Sequence, residues 1–223
     1  MNLYSKCYLK NKMLSQKIIC THILLNGKNK GNKCLKNNCK SHKKINEISN
    51  DSYTKELLKE QYNLHKTYVN GRINTTTKIG VKVRLPSIPE DISENIIKYI
   101  INKLDDNKST WDCKTGDLQS TIEGKQECKC FTSDGPLSFT PSSNWDILYF
   151  LDARNWLKND MFILYKIPYK RTSIEWQNIK ISKTQTFEDQ TKQGRRPHIN
   201  WDSLKNQIKH IKVYEGTFKD ILI

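Results

Sequence analysis
Gly116-Asp117-Leu118-Gln119-Ser120-Thr121-Ile122-Glu123-Gly124-Lys125-Gln126-Glu127-Cys128-Lys129-Cys130-Phe131 is the stretch on which the fold turns. It predicts two strands, Asp117 to Ile122 and Gln126 to Phe131, joined by a turn at Glu123-Gly124-Lys125. Side chains alternate across a strand, so Glu127 and Lys129 project to one face and Cys128 and Cys130 to the other. The hairpin then brings Asp117 toward the first face. Two carboxylates at metal-binding distance suit Mg²⁺, which prefers oxygen ligands and keeps several waters. The backbone carbonyl of Cys128 offers a further oxygen, and Lys129 can orient or deprotonate a water or stabilise charge growing on a phosphate. The same spacing also fits a surface hairpin whose alternating Glu and Lys make cross-strand ion pairs.

Upstream, Ser87-Ile88-Pro89-Glu90 reads as a capping box that opens a helix over 88–104. Ile92, Ile96, Ile100 and Leu104 form one stripe, widened by Ile97 and Ile101, so this helix packs on the core. Glu94 sits at the margin of that face, where it can complete an acidic cluster. Earlier still, Leu57, Leu58, Tyr62 and Leu64 predict a helix from Asp51 to about Val69, ended by Asn70-Gly71 and followed by a polar connector with Thr75, Thr76 and Thr77. Downstream, the apolar runs Ile147 to Leu151 and Phe162 to Tyr165 predict central strands covered on both faces. Ser133 to Asn144 is a loop with Gly135, Pro136 and Pro141. The chain is polar and basic from Tyr169 to His198, and Trp201 to Tyr214 reads as a closing helix capped by Asn200. Trp145, Trp156 and Trp176 are read as core or shell aromatics.

The 223 residues suit one globular domain with a small appendage, and the net charge of +15 with pI near 9.4 points to a polyanionic partner. Residues 1–72 hold fifteen Lys or Arg against Glu47, Asp51, Glu56 and Glu60, so eleven of the fifteen net charges lie in the first third. No run of about eighteen apolar residues predicts a membrane span, and the Lys-studded start argues against a secretory signal. An intracellular, reducing setting is expected. There, clustered cysteines favour metal over disulfides. Residues 1–19 read as a basic flexible arm, and 20–48 as a zinc-binding module with ligands Cys20, Cys34, Cys39 and His42. His22 is a competing ligand, and unrelated cysteines in a basic tail are the plain alternative. Such a zinc is structural, replacing a core that this polar segment lacks. Cys113, Cys128 and Cys130 are not read as a second metal group or a catalytic thiol, because the alternation turns Cys128 and Cys130 into the sheet core.

Gly116-Asp117, Glu127-Cys128-Lys129, Thr132 to Phe139 and Trp145 to Ala153 together resemble type II restriction endonucleases of the PD-(D/E)xK superfamily. Leu85 to Glu94 is similar to the helix start that often precedes the catalytic hairpin in those enzymes. The resemblance covers roughly residues 70 to 214 and departs from the family pattern at Gly116, where the family name has Pro. It implies an α/β restriction-endonuclease-like domain over 49–223, with a central mixed sheet and flanking helices. It also implies Mg²⁺-dependent, sequence-specific cutting of double-stranded DNA, commonly by a homodimer, with no small-molecule cofactor. Asp117, Glu127 and the Cys128 carbonyl would hold Mg²⁺, Lys129 would assist the nucleophile, and Glu94 would be an additional acidic partner.

Lys180, Lys183, Lys192, Gln193, Arg195 and Arg196 concentrate before the last expected helix, and Gln193-Gly194-Arg195-Arg196-Pro197-His198 resembles a segment found late in related endonucleases. Arg can bond guanine and Gln adenine, so this loop can read bases; the alternative is contact with phosphates alone. Ser133 opens the other segment expected to face DNA. The stretch from Ile23 to Lys33 is similar to Cys3His modules that recur in proteins of large nucleocytoplasmic DNA viruses, which would set the chain in a host cytoplasm. A structure-selective or repair nuclease, and a non-cleaving DNA-binding protein of the same fold, are the competing functions.

Overall fold
The computed structural model describes residues 53–82, 84–104, 108–111 and 117–223. The basic arm, the zinc ligand set Cys20, Cys34, Cys39 and His42, and also Cys113 and Gly116, lie outside the described residues.

Helix α1 runs from Lys55 to Ile79, with the Thr54 hydroxyl accepting the Leu57 N–H at its start. The break expected at Asn70-Gly71 does not occur. An interior Gly costs only about 1 kcal/mol relative to Ala, and burial of Leu58, Tyr62 and Val69 before it, with half-buried Ile73 packed on the core after it, outweighs that. Thr75, Thr76 and Thr77 belong to the helix rather than to a connector, their hydroxyls donating to the carbonyls of Gly71, Arg72 and Ile73. The true stop is Gly80, whose left-handed φ of 67° lets its N–H close on the Thr76 carbonyl. Helix α2 spans Glu90–Leu104, later than the expected 88. Pro89 rather than Ser87 caps it, since its carbonyl accepts the first helical bond, from Ser93 N–H. Ile92, Ile96, Ile97, Ile100 and Ile101 are buried as the stripe predicts, whereas Leu104, the last residue of the helix, is half exposed.

The strands are β1 (Thr110–Trp111), β2 (Leu118–Ser120), β3 (Gly124–Phe131), β4 (Leu137–Ser138), β5 (Ile147–Asp152), β6 (Met161–Ile167), β7 (His198–Ile199) and β8 (Ile211–Thr217). Six form one mixed sheet in the order β1-β2-β3-β5-β6-β8, and β4 pairs with β7 in a separate ladder. Only β3 and β5 run parallel; the other neighbours in the sheet are antiparallel. The apolar runs expected as central strands fall within β5 and β6, and β5 is buried from Leu148 to Asp152. The β2–β3 turn sits at residues 121–123, ahead of the expected 123–125. The Ser120 hydroxyl accepts the N–H groups of Ile122 and Glu123 and closes the turn there. The Glu123 carboxylate then anchors it by accepting from Tyr149 and Gln126 and pairing with Lys166.

Helices α3 (Trp156–Asn159), α4 (Ile174–Gln177), α5 (Phe187–Lys192), α6 (Trp201–Leu204) and α7 (Phe218–Leu222) are short. The closing helix expected over Trp201 to Tyr214 is only α6, although Asn200 caps it as expected by accepting the Ser203 N–H. Beyond it, β8 pairs with β6 and completes the sheet edge, and a capping box of Thr217 and Asp220 opens α7. Two apolar clusters flank the sheet. One joins α1, α2 and α7 to Cys128, Tyr149 and Leu151. The other joins Phe131, Leu148 and Phe150 to Phe139, Trp145, Trp176, Ile179, Phe187 and Trp201. The polar stretch after Tyr169 is thus folded onto the sheet by three apolar side chains, Trp176, Ile179 and Phe187.

Gly124 starts β3 with φ of 73°, and a Cβ there would collide with the Asp146 carboxylate that accepts the Lys125 N–H. Gly124→Ala should therefore lower stability by about 2 kcal/mol in urea unfolding, and an unchanged midpoint would remove the constraint. Asp146→Ala in the same background should recover part of the loss.

Candidate active site
The β2–β3 register pairs Leu118 with Gln126, so Asp117, one residue before β2, stands opposite Glu127 and shares its face. Asp117 Oδ2 accepts the Cys128 N–H at 2.6 Å, and Lys129 Nζ donates to Glu127 Oε1 at 2.5 Å. Lys129 Nζ also stands 5.6 Å from the centre of the buried Phe139 ring. From α2, Glu94 turns toward the same place, and its Oε2 accepts the Trp111 indole N–H at 2.6 Å. Asp117, Glu127, Lys129 and Glu94 line one cavity of about 620 Å³, together with Glu90 and Lys125. Its opposite wall is Ser138 of β4 and the hydroxyls and amide of Thr140, Ser142, Ser143 and Asn144.

Burial pushes the Glu94 carboxyl up to about 8, the Asp117 charge adding to the rise while the Trp111 bond opposes it. Asp117 is pushed up to about 6 by burial and then by the Glu127 charge, against the pull of the Cys128 amide. For Lys129, burial works downward, but the Glu127 charge and hydrogen bond and the Asp117 charge outweigh it, and the ammonium is held above its ordinary range. Burial, reinforced by the surrounding carboxylates, raises the Cys128 thiol, and burial pushes Cys130 up to about 12. Both stay protonated at neutral pH, which leaves no thiolate nucleophile here.

Among the described residues no three His, Cys, Asp or Glu side chains form a ready-made metal cage. A hard divalent cation needs no such cage, because Mg²⁺ is commonly held by one or two carboxylates plus waters and phosphate. Asp117 and Glu127 meet that demand with oxygens on one face, and the burial and Glu127 charge that together raise Asp117 are what a cation would offset. The donor set fits Mg²⁺.

The other expected contacts divide. Lys180, Lys183, Lys192, Gln193, Arg195 and Arg196 are exposed and outside the acidic cavity. Their segment is nonetheless tied to its wall: Ser138 pairs with His198, and Phe139 N–H donates to the Pro197 carbonyl. Ser133 is exposed and lines a neighbouring cavity instead. Sequence reasoning missed Trp111, whereas the loop Ser133 to Asn144, singled out as a segment to face DNA, supplies the cavity wall from Ser138 to Asn144. The density of Ser, Thr and Asn in Thr140-Pro141-Ser142-Ser143-Asn144 was the available signal for the wall.

A family model for the Bsp6I restriction endonuclease matches residues 49–210. The chain belongs to the Bsp6I restriction endonuclease family. The type II restriction enzyme Bsp6I of Bacillus sp. (strain RFL6) is 31% identical over 114 residues, which are 51% of this chain and 62% of that enzyme. The chain thus matches less than two thirds of that relative's length. No solved structure matches. The stretch shared with the Bsp6I family includes α2, the β2–β3 hairpin, β5 and the basic segment before β7.

A carboxyl raised in the folded state binds more protons there than in the unfolded chain, so it favours folding at low pH and that contribution is lost as pH climbs. For Glu94 the window runs from its ordinary 4.5 to about 8. In EDTA, Tm should fall between pH 5.5 and 8, and Glu94→Gln should flatten that fall; an equal slope in the variant would sink the assignment.

Proposed function
We propose that the chain is a sequence-specific type II restriction endonuclease that hydrolyses phosphodiesters in double-stranded DNA with Mg²⁺, acting as a homodimer. The observation that carries this reading is the convergence of Asp117, Glu127, Lys129 and Glu94 on one cavity. Membership of the Bsp6I family favours restriction over structure-selective or repair cutting, and over DNA binding without cleavage. Asp117 and Glu127 would hold Mg²⁺ with help from the Cys128 carbonyl, and the ion supplies positive charge beside the scissile phosphate. Lys129, an ammonium beside Glu127, is suited to orient a water and to stabilise charge growing on the phosphate rather than to remove a proton. Glu94, steadied by Trp111, completes the acidic rim.

Target choice is assigned to the exposed segment of Lys183, Lys192, Gln193, Arg195 and Arg196, with Gln193 and the arginines as base readers. Its link to Ser138 through β7 supports a position beside the cut. A structural Zn²⁺ on Cys20, Cys34, Cys39 and His42 would organise the amino-terminal segment, in an intracellular setting. Among the described residues no helix is long and apolar enough to cross a membrane.

Plasmid incubated with the protein and Mg²⁺ should give discrete fragments; a smear would favour the structure-selective nuclease, and intact DNA the non-cleaving protein. Lys129→Ala should cut at least roughly a hundredfold more slowly while binding duplex DNA almost as well, and full turnover by the variant would take Lys129 out of the mechanism. Metal analysis of the full chain should find about one zinc, lost in Cys34→Ser. A zinc-free wild type would end that assignment.

A further inference from the structure
Beside the acidic cavity lies a second, of about 550 Å³, and Ser87 lines both. Buried Trp156 and half-buried Leu157 form its apolar floor, and exposed Lys82, Arg84 and Ser133, with Thr132, form its rim. Lys129, Lys166, Arg154 and Arg171, on or beside the sheet, each pair with a carboxylate. Lys82 and Arg84 have no such ion pair among the described residues. Two uncompensated cations thus face a cavity whose neighbour is crowded with carboxylates. A polyanion entering that acidic neighbour needs positive charge close by. The basic segment meets the acidic cavity at its β4 wall, whereas Lys82 and Arg84 stand beyond its α2 end.

We propose that Lys82 and Arg84, with Thr132 and Ser133, form a second subsite that holds the sugar-phosphate backbone of the DNA a few nucleotides from the cut. This rests on DNA being the substrate. Thr132 and Ser133 directly follow β3, and Ser133 is four residues past Lys129, at most about 13 Å of extended chain. Duplex DNA covers that length in about four base steps at 3.4 Å each. The apolar floor suits deoxyribose, the hydroxyls donate to phosphate oxygens, and Arg84 can do so through two N–H groups at once. Such contacts carry no sequence information, so the subsite positions the strand and leaves base choice elsewhere.

The test is binding of the full chain to a 30-base-pair duplex in EDTA, where no cutting intrudes, over a range of salt concentrations. The double variant Lys82→Ala/Arg84→Ala should bind more weakly, and its log–log salt slope should be shallower by about 1.8. Between 50 and 200 mM salt, that amounts to about twelvefold less loss of affinity than in the wild type. Lys59→Ala/Lys219→Ala removes the same charge around a different cavity and should leave the slope unchanged. An unaltered slope in the first variant, or an equal change in both, would overturn the subsite alone. Absence of DNA binding by the unaltered chain would overturn the DNA reading and the subsite with it.

Discussion

The parallel ladder between β3 and β5 is the interaction on which the rest of the structure depends. It seats Glu127 beside Leu148 and Lys129 beside Phe150, so the charged face of the strand lies over the aromatic cluster and its cysteines lie under α2. With β3 held on both sides, the register to β2 leaves Asp117 no place but opposite Glu127. Parallel neighbours cannot be joined by a tight turn. The chain must therefore travel from Phe131 to Ile147 across one face of the sheet, and in doing so it builds the polar wall of the acidic cavity.

That cavity concentrates groups that disfavour one another. Glu94 and Asp117 are both driven toward protonation by burial and by neighbouring negative charge, with Lys129 as the nearby counterweight. Hydrogen bonds from Trp111 and the Cys128 amide hold the carboxylates in place at some cost to the metal-free fold. A fold selected for stability alone would replace such a cluster with apolar side chains; its retention is consistent with chemistry at this position.

Much of this was legible where a single local rule governs. The alternation through Glu127-Cys128-Lys129-Cys130 and the isoleucine stripe of α2 each needed only one face and one period, and the apolar runs of β5 and β6 only their continuity and length. The candidate catalytic residues came with them, because Asp117 and Glu127 are close in sequence and Glu94 sits at the edge of the stripe. Failures came where tertiary packing overrides a local signal. Gly71 looks like a stop, yet Tyr62 and Val69 before it and Ile73 after it pack on the core, and the helix carries on to its cap at Gly80. Trp201 to Tyr214 has apolar residues at either end, but β8 pairing along β6 claims its second half. Trp111 carries no sequence sign of its bond to Glu94, a contact made across the fold.

The crossover from β3 to β5 separates two kinds of change open to this lineage. Its ends are fastened by the ladder and its middle by Phe139, whose ring packs against Trp145, Phe150, Trp176 and Phe187. Doubling the length of a flexible loop costs only about 0.6 kcal/mol in closure entropy. Insertions between Ser133 and Leu137, or beyond Phe139, can therefore accumulate without moving the strand that bears Glu127 and Lys129. Descendants of such a protein can diversify what they meet at the rim while inheriting an unaltered hairpin beneath it.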